Sequence, residues 1–182
     1  MTTDVNRLAV ITWLAENTSK LGRTALMKYC YLLQVVCRVP LGYRFSLYSY
    51  GPFDSDVLSD LDSAESLGSV KSSVVYFPGG YGYRIEPGDR PDQVKRLGDQ
   101  FLHAYNKELQ WVADKFSGWD ASGLELGSTL VYSDREALGR GEQLTIAELC
   151  GRVRDLKPRF GIPQIQGYAE RLRQLDLLKS IE

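Results

Sequence analysis

Residues 70–85 have the sequence VKSSVVYFPGGYGYRI, in which two runs rich in valine and aromatic residues flank Pro78, Gly79 and Gly80. Short β-prone runs on either side of a glycine-rich turn are typical of a β-hairpin. The segments before this hairpin repeat apolar residues at the three-to-four-residue spacing of amphipathic helices. Three helices followed by a hairpin form the element content of a winged helix-turn-helix, so we expect that fold for the first half of the chain.

The helices before the hairpin are expected at residues 4–16, 24–37 and about 55–67. Asp4 is a plausible N-cap of the first, and Asp54 or Ser55 of the third, because their side-chain oxygens accept hydrogen bonds from free backbone N–H groups. Gly68 stands where a helix commonly ends. Residues 43–50 alternate aromatic and polar side chains, which predicts a strand before the third helix.

The second half of the chain is predicted to be helical. We expect helices at about 92–116 and 120–134, a mobile polar loop over 133–143, and two shorter helices at about 146–156 and 162–175. Thr145 and Glu148 match a capping box, and Pro163 suits the first turn of the last helix. The last two helices resemble a helix-turn-helix, although packing alone explains their pattern equally well.

The fold class expected from these elements is α+β, mostly α with a small β-hairpin. We expect a winged-helix-like lobe over residues 1–88, with three helices, a short strand and a hairpin wing. A helical lobe over residues 89–182, ending in the helix-turn-helix-like pair, completes one compact unit.

Composition agrees with an ordinary globular protein. The chain has 182 residues, of which 43% are hydrophobic and 25% are charged. It has neither a secretory signal pattern nor an apolar run of membrane-spanning length, so we expect a cytoplasmic protein without a membrane contact. Its three cysteines lack the C-x-x-C spacing that would favour a zinc site.

The usual catalytic groups are sparse. His103 is the single histidine, and it lies off the apolar stripe of its predicted helix, so we expect it to be solvated or partly packed and not catalytic. Nucleophilic catalysis of the Ser–His or Cys–His kind needs a base close to the nucleophile. No G-x-S-x-G elbow, P-loop or dinucleotide-binding motif is present. The sequence therefore predicts that the protein is not an enzyme, with no catalytic, cofactor-binding or metal-binding residues.

Charge is segregated along the chain, although the formal net charge is only -1. Residues 20–44 contain basic but no acidic side chains, and residues 54–68 contain acidic but no basic ones. The acidic residues are Asp54, Asp56, Asp60, Asp62 and Glu65. Because DNA affinity comes largely from lysine and arginine contacts, these carboxylates oppose DNA reading by the third helix. They form a candidate face for a protein partner, a toxin or a second copy; pairing with the basic second helix, or simple solvation, are the alternatives.

The basic C-terminal helix pair is the candidate nucleic-acid surface. Arginine and glutamine side chains can hydrogen-bond guanine and adenine edges. The candidate contacts are Lys157, Arg159, Gln164, Gln166, Arg171 and Arg173. The alternative function is thus a DNA-binding transcriptional regulator that uses residues 145–179. Seven aromatic residues between 29 and 53 offer either base-stacking groups or core.

Residues 22–32 (GRTALMKYCYL), 42–45 (GYRF) and the turn 50–53 (YGPF) together resemble a bacterial family. The chain resembles the SocA-like or Panacea-domain antitoxins, and more closely the short YwgA-like bacterial proteins. Those show a K-x-x-K-L-x-Y-L-L helix, an aromatic strand and a Y-G-P-[YF] turn; residues 124–130 and 156–158 also fit. The resemblance implies a mostly helical, non-enzymatic protein that works through protein contacts, as an antitoxin or a regulator.

The family-like turn consists of Tyr50, Gly51, Pro52 and Phe53. We expect this turn to orient the acidic helix that follows it. The function we expect is that of a bacterial interaction protein of winged-helix character, an antitoxin or a defence-associated regulator.

Overall fold

The computed structural model describes residues 4–181. The chain is mostly helical with two small antiparallel hairpins, which confirms the α+β class. The elements in chain order are α1 (Val5–Asn17), α2 (Arg23–Val35), β1 (Ser46–Tyr48), β2 (Gly51–Phe53), α3 (Ser55–Ser66), β3 (Val70–Phe77), β4 (Gly80–Pro87), α4 (Pro91–Leu97), α5 (Asp99–Ala104), α6 (Asn106–Phe116), α7 (Ala121–Gly139), α8 (Ile146–Leu156) and α9 (Ile162–Gln174).

The described residues form two compact units. The first unit comprises the chain up to Phe45 together with Asp54–Trp119, and the second comprises the remaining residues. This grouping differs from the predicted lobes, 1–88 and 89–182. Helices α4 and α5 pack against α1, and α6 packs against α2, so all three belong to the first unit. The β1–β2 hairpin packs on α7 and belongs to the second unit.

The predicted N-caps of α1 and α3 and the predicted C-terminal end of α3 are confirmed. The Asp4 carboxylate accepts a hydrogen bond from the Asn6 N–H at 2.9 Å, and the Asp54 carboxylate accepts one from the Asp56 N–H at 2.9 Å. Both aspartates thereby satisfy backbone donors that the first helical turn leaves unpaired. Gly68 follows α3 with φ of +72°, the left-handed conformation that glycine adopts at low cost.

The predicted hairpin is also confirmed. β3 pairs antiparallel with β4 along its whole length. The connection is Pro78–Gly79, and Gly79 has a φ of +97°, as the second central residue of a type II turn requires. At the base of the hairpin Val70 and Ile85 are buried, whereas near the tip Tyr76 is 84% exposed.

Two predictions about the middle of the chain are wrong. The strand expected over 43–50 is short, because the chain reverses after Tyr48 and pairs β1 with β2. The long helix expected over 92–116 is interrupted at Gly98 and Tyr105. At Gly98 the backbone lies so close to α1 that an added methyl group would overlap the Ala9 side chain. The local sequence contains no sign of that approach.

In the second unit, α8, α9 and β2 all pack on α7. The Thr145–Glu148 capping box is confirmed, and α9 has Pro163 in its first turn, as predicted. The mobile loop expected over 133–143 is wrong for its first half, because α7 continues to Gly139 and buries Asp134. Among the described residues, no helix is both long and apolar enough to cross a membrane.

Candidate functional site

The acidic residues of α3 have different structural roles. Asp54 caps the helix, and its second oxygen accepts a hydrogen bond from the Arg44 backbone N–H. Asp60 is buried, Asp62 is exposed, and Glu65 is half-buried. The predicted partner face therefore does not act as one continuous strip of free carboxylates.

Asp60 belongs to a hydrogen-bonded network inside the first unit. Its Oδ2 accepts a hydrogen bond from the Tyr43 hydroxyl at 2.9 Å and lies 3.5 Å from Arg7 Nη1. Arg7 also donates to the carbonyls of Leu41 at 2.6 Å and Gly42 at 2.9 Å, and stacks over the Tyr43 ring. Burial raises the pKa of Asp60, although Tyr43 and Arg7 act in the opposite direction. We therefore remove Asp60 from the partner face, because its carboxylate stabilises the packing of α1 and α3.

Of the remaining acids of α3, Asp62 is exposed and Asp56 and Glu65 are half-buried. Asp56 lies 3.9 Å from Arg7 Nη1, which comes from α1 and not from the basic second helix. Within residues 4–181, Asp62 and Glu65 form no ion pair, and Glu65 Oε1 is buried without a hydrogen-bond donor. Nothing in the sequence around Arg7 predicts its ion pair with Asp56.

The family-like turn is built into the second unit. Tyr50 is exposed, whereas Gly51 and Pro52 are buried and Phe53 is half-buried. Gly51 has a φ of +89°, and a Cβ atom there would lie 2.9 Å from Thr129 Oγ1 of α7. Only glycine satisfies both conditions, so the glycine of this turn allows β2 to approach α7 closely.

Lys157, which follows α8, is buried against the β1–β2 turn and is not a nucleic-acid contact at the surface. Its side chain is 4% exposed, and its Nζ lies 3.3 Å from Glu125 Oε1. The ammonium group donates hydrogen bonds to the carbonyls of Tyr48, at 3.2 Å, and Ser49. Burial lowers the pKa of Lys157, against the opposing effect of Glu125. The prediction that Lys157 contacts nucleic acid is therefore wrong, because its donors are already used inside the protein.

Arg159 shares the buried carboxylate but keeps contact with solvent. Its guanidinium pairs with Glu125 Oε2, and lies 5.3 Å from the Tyr50 ring centroid and 4.9 Å from that of Phe160. The Arg159 side chain is about half exposed, so it can still contact a ligand at its outer edge. Sequence reasoning missed Glu125, which lies in an apolar helix and joins both basic residues.

The remaining candidate contacts divide between two flanks of α9. Gln164, Gln166, Arg171 and Arg173 are all exposed. Residues seven apart lie on the same side of a helix, whereas residues two apart are separated by about 200°. Gln164 and Arg171 therefore share one flank, and Gln166 and Arg173 share another.

The two flanks differ in chemistry. Arg171 lies 5.2 Å from the centroid of the Tyr168 ring. Arg173 donates two hydrogen bonds of 2.9 Å to the carboxylate of Glu170, which neutralises its charge. The flank of Gln164 and Arg171 is thus the one that could meet a phosphate or a base edge.

The aromatic cluster also divides. Tyr29, Tyr31 and Tyr43 are buried in the core of the first unit, whereas Tyr48 and Tyr50 of the second unit are each 62% exposed. The core interpretation therefore holds for Tyr29, Tyr31 and Tyr43, whereas Tyr48 and Tyr50 are accessible to a ligand.

Reactive groups are few in the part of the chain that the structure describes. His103 is exposed on α5, and no three His, Cys, Asp or Glu residues there are grouped so as to hold a metal ion. Burial raises the pKa of Cys37 to about 11, with a further contribution from Glu108. Burial also raises the pKa of Cys30 and Cys150. These thiols are therefore mostly protonated at neutral pH.

No protein-family model matches the chain, and a comparison with curated protein sequences found no match. The similarity to the Panacea-domain antitoxins remains a prediction that rests on the motifs quoted above.

Proposed function

We propose that this chain is a non-enzymatic interaction protein of winged-helix character that binds a protein partner through α3. In this role it would act as an antitoxin or a defence-associated regulator. The observation that carries the proposal is the pair Asp62 and Glu65, which form no ion pair within residues 4–181. The order of α1, α2, α3 and the β3–β4 hairpin also supports the winged-helix interpretation.

Two other acidic residues of α3 hold this helix in place. Asp54 caps α3, and Asp60 bonds to Tyr43 and Arg7. A partner therefore meets carboxylates on a helix that is already ordered, which reduces the entropy cost of binding. Electrostatic complementarity with a basic partner would favour fast and selective association.

The test is co-expression of the chain with the products of its neighbouring genes, scored by growth rescue and co-purification. We expect Asp62→Lys with Glu65→Lys to abolish both, because two attractive charges become repulsive. The matched control is Asp114→Lys with Asp155→Lys, which makes the same charge change at two exposed positions outside α3. Rescue that survives the α3 substitutions would exclude this face. Failure to neutralise or bind any neighbour's product would exclude the antitoxin role.

DNA binding by α9 is the second candidate function. Gln164 and Arg171 are exposed on one flank, and together they have the donors and acceptors needed to contact base edges and phosphates. A gel-shift assay on the promoter region, repeated at several salt concentrations, tests it. We expect Arg171→Ala to weaken specific binding about tenfold, and Arg173→Ala to change it little because Glu170 already binds that arginine. Binding unaffected by Arg171→Ala would exclude this flank, and no binding at all would exclude the function.

A further inference from the structure

A groove lies between the start of α1 and the C-terminal half of α3 in the first unit. Its volume is about 420 Å³, and it is lined by Val5, Leu8, Asp62, Ser63, Ser66 and Leu67. Leu8 is buried, whereas Val5 is 36% and Leu67 50% exposed. The groove therefore has an apolar floor and wall that solvent reaches, and its volume lies within the ~300–1,000 Å³ common for ligand sites.

The polar edge of this groove presents hydrogen-bond acceptors. The Ser63 hydroxyl donates to the Ser59 carbonyl at 2.9 Å, and the Ser66 hydroxyl donates to the Asp62 carbonyl at 2.9 Å. With their protons in these bonds, both serine oxygens offer lone pairs to a ligand. The Asp62 carboxylate is also an acceptor. A ligand that satisfies this edge must supply N–H or O–H donors.

Among the residues that line the groove, Asp62 carries the charge. Asp4, Asp56 and Asp60 lie 4.0, 3.9 and 3.5 Å from nitrogen atoms of Arg7, and a single guanidinium serves all three. Arg7 also donates to two backbone carbonyls, so its guanidinium is held within the first unit. Asp62 adds a fourth carboxylate without an ion-pair partner in residues 4–181. The Asp62 edge of the groove therefore favours a cation.

We propose that this groove binds a basic amphipathic helix of the protein partner. An apolar side chain of that helix contacts Val5, Leu8 and Leu67, and a lysine or arginine one turn away donates to Asp62 and the serine oxygens. This inference rests on the proposed function and narrows it to one flank of α3. Glu65 does not line the groove, although it lies only about 60° of helix rotation from Asp62.

The direct test uses two synthetic helical peptides, one patterned with leucine and lysine and the other with leucine and glutamate. Each is titrated into the full ¹⁵N-labelled chain, and affinity is measured by fluorescence anisotropy. We expect only the leucine–lysine peptide to bind, with amide shifts centred on Val5, Asp62 and Leu67. Raised salt should weaken this binding, because the rim charge is exposed.

Variants separate the two parts of the contact. Asp62→Asn should raise the Kd of the leucine–lysine peptide about threefold, as expected for an exposed ion pair. Leu67→Asp should raise it about tenfold or more, because an apolar contact is lost and a charge is placed against it. Asp114→Asn is the matched control, since it removes the same charge from an exposed position on α6, outside α3. Circular dichroism verifies that each variant is folded.

Several results would overturn the inference. These are equal binding of the glutamate peptide, equal effects of Asp62→Asn and Asp114→Asn, or no binding of the lysine peptide. Groove shifts that depend on protein concentration without peptide would identify a second copy of the chain as the occupant and also overturn it. If Asp62→Asn with Leu67→Asp leaves partner co-purification intact, the groove is excluded while the proposed function stands. If the wild-type chain co-purifies with no partner, the proposed function itself fails.

Discussion

Lys157 donates to two carbonyls of the β1–β2 turn and faces the buried Glu125 carboxylate, so its charge is compensated without solvent. Asp60 has a comparable position in the first unit, where Tyr43 and Arg7 satisfy it. Buried charges of this kind cost free energy to desolvate, and removal of one partner leaves the other uncompensated. At the scale of single residues, Lys157 and Asp60 were both predicted to contact a ligand at the surface. Both instead stabilise the interior of the protein.

We expect Lys157→Ala to lower the free energy of unfolding by about 3 kcal/mol. The substitution leaves the Tyr48 and Ser49 carbonyls without a donor and leaves Glu125 with Arg159 alone. The control is Arg154→Ala, which removes an exposed cation from α8 and should change stability by less than about 0.5 kcal/mol. Urea denaturation followed by circular dichroism measures both. Equal stability of the two variants would contradict the structural role of Lys157.

At the scale of elements, two glycines distinguish the effect of helix propensity from the effect of packing between helices. Gly98 interrupts a helical segment where the chain touches Ala9, whereas Gly151 lies inside α8 with no atom within 4 Å of an added Cβ. We expect Gly151→Ala to stabilise the protein by about 0.5–1 kcal/mol, because alanine favours a helix. Gly98→Ala should destabilise it by about 1–3 kcal/mol through overpacking. Thermal denaturation of the two variants should therefore shift in opposite directions, and shifts of the same sign would show that propensity outweighs the α1 contact.

The capping box of α8 gives a pH-dependent prediction. Hydrogen bonds from the Thr145 N–H and hydroxyl lower the pKa of Glu148 below its usual 4.5. Glu148 therefore binds a proton more tightly in the unfolded chain than in the folded one. The stability that the ionised Glu148 carboxylate contributes is present above pH 4.5 and is lost as the pH falls through the pKa of the folded state. We expect Glu148→Ala to lower the Tm at pH 7, with a smaller difference from wild type below pH 4.

The control for this pH effect is Asp155→Ala, which removes an exposed acid near the other end of α8. Its Tm difference from wild type should lack the acid-dependent decrease expected for Glu148→Ala. A Glu148→Ala difference that stays constant from pH 7 to pH 3 would show that the carboxylate contributes nothing to the cap.

At the scale of the whole molecule, each compact unit depends on a few contacts between residues far apart in the chain. In the second unit, Asp134 accepts hydrogen bonds from the backbone N–H groups of Lys179 and Ser180 and from the Ser180 hydroxyl at 2.7–3.0 Å. The Leu144 N–H donates to the Ser180 carbonyl at 2.7 Å. These bonds hold the residues that follow α9 against α7.

We expect Asp134→Asn to destabilise the second unit by about 2 kcal/mol, since the amide has one acceptor oxygen where the carboxylate has two and adds a donor facing other donors. Ser180→Ala, which removes only the hydroxyl bond, should cost about 1 kcal/mol. Hydrogen exchange should show faster exchange at Lys179 and Ser180 in Asp134→Asn. Unchanged protection there would contradict the assigned role of Asp134.

The sequence alone predicts those elements whose signals are local. Asp4, Asp54 and Thr145 cap helices within one turn of their own position, and Gly79 supplies a turn conformation open to few other residues. Caps, turns and short-range periodicity depend on neighbours a few residues away, so one sequence contains them in full. The α+β class, the β3–β4 hairpin and the last two helices follow from such signals.

Tertiary structure alone decides which charges are free. Arg7 and Asp60 are 53 positions apart, and Arg159 and Glu125 are 34 apart, so no local pattern relates them. Whether a carboxylate is paired, buried or open to a ligand depends on what the fold brings beside it, because desolvation and Coulomb attraction act through space. The sequence determined where the acidic residues of α3 lie along the chain. Only the packing of α1 on α3 decided that Asp60 is structural and that Asp62 lies at the edge of an open groove.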